Sequence, residues 1–257
     1  MQTSFEKYHP HKIMDSDWYN SIDQDNLNNL KANYYYNNIN ELYYTLYYPM
    51  NTDVVMCPKN ASTVVRRMVG ILNPGIVRIH PGILNANHRS EIINYYKDKH
   101  PEKKYNFFHC REDSYKIAIK RDPIKRVISA AAWVTYLKII DGKLNLALKD
   151  TKNFNKKIID TLDYCNELTD MHFISQTRFM GNVKYYDKVY NTNNMDAFFD
   201  DMILFYGRSK EINKLRNSKE EVLNVNSFYT LKPTDLPDSL TRKLKKIYEV
   251  DYDNGWY

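Results

Sequence analysis

Cysteine is scarce in this chain, which has 3 Cys among 257 residues. Cys57, Cys110 and Cys165 lie far apart, and the sequence contains no CxxC pair. A disulfide framework or a zinc site needs several cysteines at regular spacings, so the sequence supports neither. We expect the three thiols to be reduced, as they are in cytosolic proteins.

Long apolar runs and a strong charge of one sign are also missing. No run approaches the length of a membrane span, and the polar stretch Met1 to Pro10 lacks the apolar centre of a signal peptide. The net charge of +6 is mild. It suits an anionic ligand and falls short of a nucleic-acid-binding surface. We therefore expect a soluble cytoplasmic protein with no membrane span and no nucleic-acid partner.

Hydrophobic residues make up 43% of the chain, enough for a sizeable core. Residues 1–50 have few aliphatic side chains, but Leu27 and Leu30, and also Leu42 and Leu46, fall at helical spacing. We expect this region to be a helical N-terminal cap or arm. Residues 51–257 are expected to form the main domain of a protein that is globular as a whole.

Strand and helix patterns alternate after residue 53. Apolar periodicity and the positions of Pro and Gly predict strands at 54–57, 76–80, 105–109, 115–120 and 183–190. The same signals predict helices at 62–72, 91–99, 123–140, much of 143–180, 195–206 and 239–248. This alternation is typical of an α/β domain with a central, mainly parallel sheet flanked by helices.

The first strand-to-helix junction carries phosphate-binding chemistry. The apolar strand 54–57 stops at Pro58, and Ser62 or Thr63 can cap the helix that follows. The N–H groups of a first helical turn and the helix dipole favour an anion, and Lys59 adds a cation. The loop is not a Walker A motif, because GxxxxGK[ST] is absent. An ordinary helix cap with an exposed lysine is the alternative interpretation.

The second junction follows the strand 115–120. Arg121 comes at the carboxyl end of that strand, where open α/β sheets bind ligands, and a guanidinium there can hold a phosphate with two hydrogen bonds. Pro123 is a favourable first helical residue, and Ser129 lies two turns into the helix. The alternative is a helix that Asp122 caps and whose basic residues are solvated.

Together the two junctions resemble the sulfotransferases that use 3′-phosphoadenosine 5′-phosphosulfate (PAPS) as the donor. Residues 58–63, PKNAST, are similar to the family's 5′-phosphosulfate loop, PKxxST or PKxAST. Residues 121–129, RDPIKRVIS, are similar to its 3′-phosphate motif, RDPxxRxxS. The chain is most similar to the carbohydrate branch that includes heparan sulfate 2-O-sulfotransferases, whose HxxxQ segment resembles residues 172–176, HFISQ.

The resemblance implies a P-loop-NTPase-like three-layer sandwich and an enzyme that moves the sulfuryl group of PAPS to a hydroxyl acceptor, a glycan or a small molecule. The product of the donor is 3′,5′-adenosine bisphosphate, and no metal is needed. The 3′-phosphate would lie against Arg121 and Ser129. Lys59 would stabilise charge on the leaving group. The 5′-phosphosulfate would lie on six residues: Pro58, Lys59, Asn60, Ala61, Ser62 and Thr63.

The general base is left open among three residues. His109 is the first choice, because it lies between an apolar run and the strand that precedes Arg121, roughly where the 2-O-sulfotransferase branch places its histidine. His80 and Glu112 are the alternatives.

Acceptor contacts are expected from His80 and from His172 with Gln176. The last two lie one helical turn apart and would project together if they share a helix. A solvated polar helix face is the alternative for this pair.

Two other functions fit parts of the pattern. A P-loop-like nucleotide or phosphate transferase would have a similar architecture, but its GK[ST] and an obvious Mg²⁺-binding carboxylate after an apolar strand are missing. A catalytically inactive sulfotransferase fold that binds a glycan or a protein would have no need to keep Lys59, Arg121 and Ser129. The sequence therefore favours an active sulfotransferase.

Overall fold

A computed structural model describes residues 43–46, 52–55, 57–72, 115–147, 150–217 and 228–257, together with residues 21, 23 and 25. The strands expected at 76–80 and 105–109 and the helix expected at 91–99 lie outside these residues, as do Leu27 and Leu30. The chain divides into two compact units, and residues 21, 23 and 25 belong to the second. Of the other described residues, the first unit contains those up to Lys120 and those from Met180 to Asn217; the second contains Arg121 to Phe179 and 228–257.

The first unit is built on a four-stranded sheet. In sheet order its strands are β1 (Tyr43–Leu46), β2 (Thr52–Val55), β3 (Tyr115–Lys120) and β4 (Lys188–Asn191). β1 is antiparallel to β2, whereas β2, β3 and β4 run parallel. Because Val55 pairs with Ala118 and Ala118 with Val189, the carboxyl ends of the three parallel strands meet at one edge. The prediction of a mainly parallel sheet in a mixed α/β protein is confirmed.

Eight α-helices lie within the described residues. In chain order they are α1 (Ser62–Leu72), α2 (Pro123–Ile140), α3 (Thr151–Tyr164), α4 (Gln176–Met180), α5 (Met195–Tyr206), α6 (Ser209–Asn217), α7 (Asp238–Ile247) and α8 (Glu249–Asp253). None of these helices combines the length and the apolar character that crossing a membrane requires.

The core of the first unit forms between the sheet and its helices. Val54, Ile117 and Ile119 point from β2 and β3 toward one buried cluster, in which Met68 of α1 and Phe198 of α5 are fully buried. Alternation along each strand explains why Ile117 and Ile119 share a face. This packing fixes α1 against the sheet and so fixes the loop that joins β2 to α1.

The second unit is mainly helical, and its longest helix has the predicted bounds. The Asp122 carboxylate accepts a hydrogen bond from the Lys125 amide (2.8 Å), and Pro123 is the first residue of α2. Gly142, in the left-handed region at φ 68°, follows the end of the helix. Residues of α2 pack with α3 and α7, where Phe154 and Leu244 are fully buried.

Some expectations about secondary structure are wrong. The helix expected around Leu42 and Leu46 is absent there, because Tyr43–Leu46 pairs with β2 as a strand. Aromatic and β-branched residues favour strands, and the pairing depends on a partner that local periodicity does not reveal. In the segment 183–190, Val183–Tyr185 is a 3₁₀ turn and only the end becomes β4. The division of the chain at residue 50 stays a prediction.

Candidate functional site

The loop between β2 and α1 makes a sharp turn without glycine. Lys59 and Ala61 both have backbones in the left-handed region, with φ of 71° and 56°. This conformation costs an L-residue roughly 1–2 kcal/mol and is usually left to glycine. Strained residues of this kind persist where the surroundings hold them, and they cluster at functional sites. The loop therefore has a backbone conformation that suits a binding site.

Asn60 holds the strained loop in place. Its side chain is fully buried, and its Nδ2 donates to the Ile119 carbonyl oxygen at 2.8 Å. Its backbone amide donates to the Cys57 carbonyl at 3.1 Å. These contacts tie the loop after β2 to the carboxyl end of β3. Asn60 was predicted to bind the donor, and the structure gives its side chain this structural contact.

Helix α1 begins directly after the loop. The Ala61 carbonyl accepts hydrogen bonds from the amides of Val64 (2.9 Å) and Val65 (3.2 Å). Ser62 and Thr63 lie in the first helical turn and are half-buried, as is Lys59. A lysine, two hydroxyls and the positive end of a helix are thus present at the carboxyl edge of the sheet, and this arrangement favours an anion.

In the second unit, Arg121 and Ser129 meet at the hydroxyl group of Tyr229. That hydroxyl is hydrogen-bonded to both side chains. Arg121 and Tyr229 are half-buried, and Ser129 is buried. Burial lowers the pKa of Arg121, and the neighbouring Arg126 lowers it further, whereas Tyr229 acts in the opposite direction. Arginine starts so far above neutrality that the guanidinium stays charged. The structure thus brings together Arg121 and Ser129, the two residues of the motif that were predicted to bind the 3′-phosphate.

Gln176 fixes the backbone of Arg121 from both sides. The Arg121 amide donates to Gln176 Oε1 (3.0 Å), and Gln176 Nε2 donates to the Arg121 carbonyl (2.9 Å). The Gln176 side chain is fully buried, and Nε2 also donates to the Trp256 carbonyl at 3.1 Å. Asp251 accepts from the Gln176 amide at 3.1 Å. The backbone of Arg121, from which its side chain extends, is therefore held in one orientation.

Arg126, the second arginine of the motif, belongs to the core. Its side chain is fully buried, and it donates to the carbonyl oxygens of His172 (3.0 Å) and Ile174 (2.5 Å). Its guanidinium carbon lies 5.6 Å from the centre of the Tyr248 ring. The alternative of solvated basic residues holds for the exposed Lys125 and is wrong for Arg126.

The expectation that His172 and Gln176 project together from one helix is wrong. His172 lies in the 3₁₀ turn Met171–Phe173, whereas Gln176 begins α4. The His172 side chain is 12% exposed, and its Nδ1 lies 2.7 Å from Asp170 Oδ1. The Gln176 side chain points inward because its amide group makes two hydrogen bonds with the backbone of Arg121. A side chain buried in this way does not fit the predicted contact with an acceptor.

Several predicted residues lie outside the described residues: His80, His109, Glu112 and Cys110. Cys57 and Cys165 are buried cysteines, and burial raises the pKa of Cys165 to about 12. Within the described part of the chain, no group of three or more His, Cys, Asp or Glu side chains is placed to hold a metal ion.

The sequence analysis assigned no role to Tyr229 or Asp251. The chain has 23 Tyr, so a single tyrosine carries little signal by itself. Tyr229 also lies outside the three segments by which the sequence resembles the sulfotransferases, 58–63, 121–129 and 172–176. Asp251 acts through contacts with residues 74 and 75 positions away, which no local pattern reveals.

Comparisons of the chain with protein-family models, with curated proteins and with solved structures gave no match. The assignment of function therefore rests on the loop 57–63 and on the cluster of Arg121, Ser129 and Tyr229.

Proposed function

We propose that this protein is a PAPS-dependent sulfotransferase with a carbohydrate hydroxyl as its acceptor. The observation that carries the proposal is the shared contact of Arg121 and Ser129 with one hydroxyl, that of Tyr229. The resemblance to the RDPxxRxxS motif implies that these two residues bind one phosphate together. Two donors that converge on one oxygen can also converge on one phosphate oxygen, and the 3′-phosphate distinguishes PAPS from common nucleotides.

The loop after β2 supports the other half of the proposal. It has a left-handed Lys59 and is followed by the first turn of α1, with Ser62 and Thr63. These groups suit the 5′-phosphosulfate of the donor. The finer architecture that belongs with this proposal is a P-loop-NTPase-like three-layer sandwich. The adjacent parallel strands β2 and β3, each followed by a helix, support it.

The proposed reaction is an in-line transfer. The acceptor oxygen bonds to sulfur while the bond between sulfur and the 5′-phosphate oxygen breaks, and its electron pair stays on the departing bisphosphate. Lys59 stabilises the charge that develops there; losing one such group commonly costs about 10²- to 10³-fold in rate. The acceptor proton passes to a general base, for which we propose His109, with His80 and Glu112 as alternatives.

The acceptor side of the proposal involves His172 and His80. Asp170 orients the His172 ring through Nδ1, and we propose that the oriented ring contacts the acceptor. A glycan is the acceptor class we propose, and a small hydroxylated molecule is the alternative. We also propose that the protein acts in the cytoplasm, where its thiols would stay reduced.

The two alternative functions make different predictions. An inactive sulfotransferase fold would bind the bisphosphate without transferring a sulfuryl group. A P-loop-like phosphate transferase would prefer ATP with Mg²⁺ to PAPS. A phosphate transferase leaves the Arg121–Ser129 cluster unexplained, and transfer of the sulfuryl group separates the proposal from the inactive fold.

Transfer of labelled sulfate tests the proposal. The protein is incubated with sulfur-labelled PAPS and a panel of oligosaccharides and small alcohols, and sulfated products are separated and counted. We expect turnover that Lys59→Ala lowers by about 10²- to 10³-fold. Lys210→Ala, which removes an exposed lysine of the same unit, is the matched control and should retain full activity. Full activity in Lys59→Ala would refute the assigned role, and ATP-dependent phosphorylation instead would favour the phosphate transferase.

A further inference from the structure

The two neighbours of Tyr229 in the chain hold it beside Arg121 and Ser129. Phe228 stacks on Tyr136 of α2, with ring centres 5.7 Å apart and an interplanar angle of 7°. On the other side, Asn155 of α3 donates to Thr230 Oγ1 (3.0 Å) and accepts from the Thr230 amide (3.2 Å). Both residues that flank Tyr229 are thus anchored, so its position is fixed by the fold.

The anchored hydroxyl completes a set of three donors from three parts of the second unit. Arg121 comes directly after β3, Ser129 lies two turns into α2, and Tyr229 lies in the segment before the 3₁₀ turn Pro233–Asp235. Arg121 is held from behind by the two hydrogen bonds to Gln176. The donors are therefore positioned before any ligand binds, which lowers the cost of binding.

We infer that Tyr229 is a direct ligand of the 3′-phosphate and makes the site selective for nucleotides that carry this group. This inference rests on the proposed function, and it adds a residue that RDPxxRxxS does not contain. A phosphate dianion offers more acceptor positions than one guanidinium and one hydroxyl can fill. The Tyr229 hydroxyl supplies a further donor at the point where the other two meet.

The protonation state of Tyr229 agrees with this role. Burial raises its pKa, although the neighbouring Arg121 and Ser129 act in the opposite direction. The phenol is therefore neutral at physiological pH and can donate its proton to an anion, whereas a phenolate would repel the phosphate. Arg121 supplies the positive charge, and the hydroxyls of Ser129 and Tyr229 supply directional hydrogen bonds.

Calorimetric titration of paired ligands tests the inference. The dissociation constants of 3′,5′-adenosine bisphosphate and of 5′-AMP are measured for the wild type, Tyr229→Phe and Tyr164→Phe. The first variant removes one hydroxyl and keeps the ring that packs in the site. Tyr164→Phe is the matched control in the same unit, because the Tyr164 side chain is 53% exposed. The ratio of the two constants measures selectivity for the 3′-phosphate.

We expect Tyr229→Phe to weaken bisphosphate binding about 10- to 100-fold, as for a hydrogen bond to a charged group, and to leave 5′-AMP binding unchanged. Tyr164→Phe should keep the wild-type ratio. An unchanged ratio in Tyr229→Phe, or an equal loss for both ligands, would overturn the inference while the proposed function stands. If the wild type binds the two ligands equally well, the proposed function itself fails.

Discussion

At the scale of single residues, Asn60 and Lys59 show how one side chain supports the conformation of the next. Lys59 and Ala61 have left-handed backbones, at a cost of roughly 1–2 kcal/mol each. The buried hydrogen bond from Asn60 to the Ile119 carbonyl lies between them in the chain. A loop held this way keeps its lysine where the sheet and α1 place it, without requiring glycine.

Cys165 gives a prediction about pH. Its pKa is raised from 9.0 to about 12, with burial as the largest cause. Above pH 9 the unfolded chain releases this proton while the folded protein retains it, so the contribution of the thiol to stability is lost as the pH rises from 9 toward 12. One such group lowers the free energy of unfolding by up to about 1.4 kcal/mol per pH unit.

Urea denaturation of the wild type and of Cys165→Ala, at pH 8 and again between pH 9 and 10.5, measures this effect. We expect the variant to lose less stability over the alkaline range. Removing the buried thiol also lowers the free energy of unfolding by an amount that does not depend on pH. This amount cancels when the slopes of the free energy of unfolding against pH are compared for the two proteins. Equal slopes would show that the thiol is accessible in the folded protein.

At the scale of elements, the last helix determines how Arg121 is presented. The buried Asp251 of α8 accepts from the amides of Gln176 (3.1 Å) and Thr177 (2.7 Å) at the start of α4. Gln176 in turn holds the Arg121 backbone. Asp251 thus acts on Arg121, the residue proposed to bind the phosphate, through two successive sets of hydrogen bonds.

Asp251→Asn tests that connection. The amide keeps the size of the side chain but loses the negative charge and one acceptor oxygen, so we expect the free energy of unfolding to fall by about 1.5–3 kcal/mol. Asp253→Asn, on the exposed side of the same helix, is the control and should stay within about 0.5 kcal/mol of the wild type. Chemical denaturation compares the two. Similar stabilities for both variants would mean that Asp251 does not hold α4.

Elements with local signals are the ones that the sequence predicts correctly. Asp122 and Pro123 mark the start of α2, and a short apolar run that ends before Asp122 marks β3, so both elements have their predicted bounds. β1 was missed because its signal comes from pairing with β2. The inward orientation of Gln176 depends on Arg121, a partner 55 residues away. The loop with left-handed backbones at Lys59 and Ala61 has no glycine, which is the usual sequence signal for that conformation.

At the scale of the whole molecule, the two proposed phosphate-binding groups belong to different compact units. The loop 57–63 lies in the first unit and Arg121 begins a stretch of the second, directly after β3. The net charge of +6 suits an anionic ligand but has no preference for one nucleotide over another. Selectivity has to come from local groups, and the 3′-phosphate is the feature those groups are proposed to recognise.

The shift in melting temperature on adding nucleotides tests the central claim most directly, because a ligand that binds only the folded state raises it. The intact protein is heated with 3′,5′-adenosine bisphosphate, its 2′,5′ isomer, 5′-AMP or ATP at equal concentrations. At 100 times its dissociation constant the best ligand stabilises by about 2.7 kcal/mol. The proposal predicts the largest rise with the 3′,5′ isomer. No rise with that isomer, or an equal rise with 5′-AMP, would contradict it.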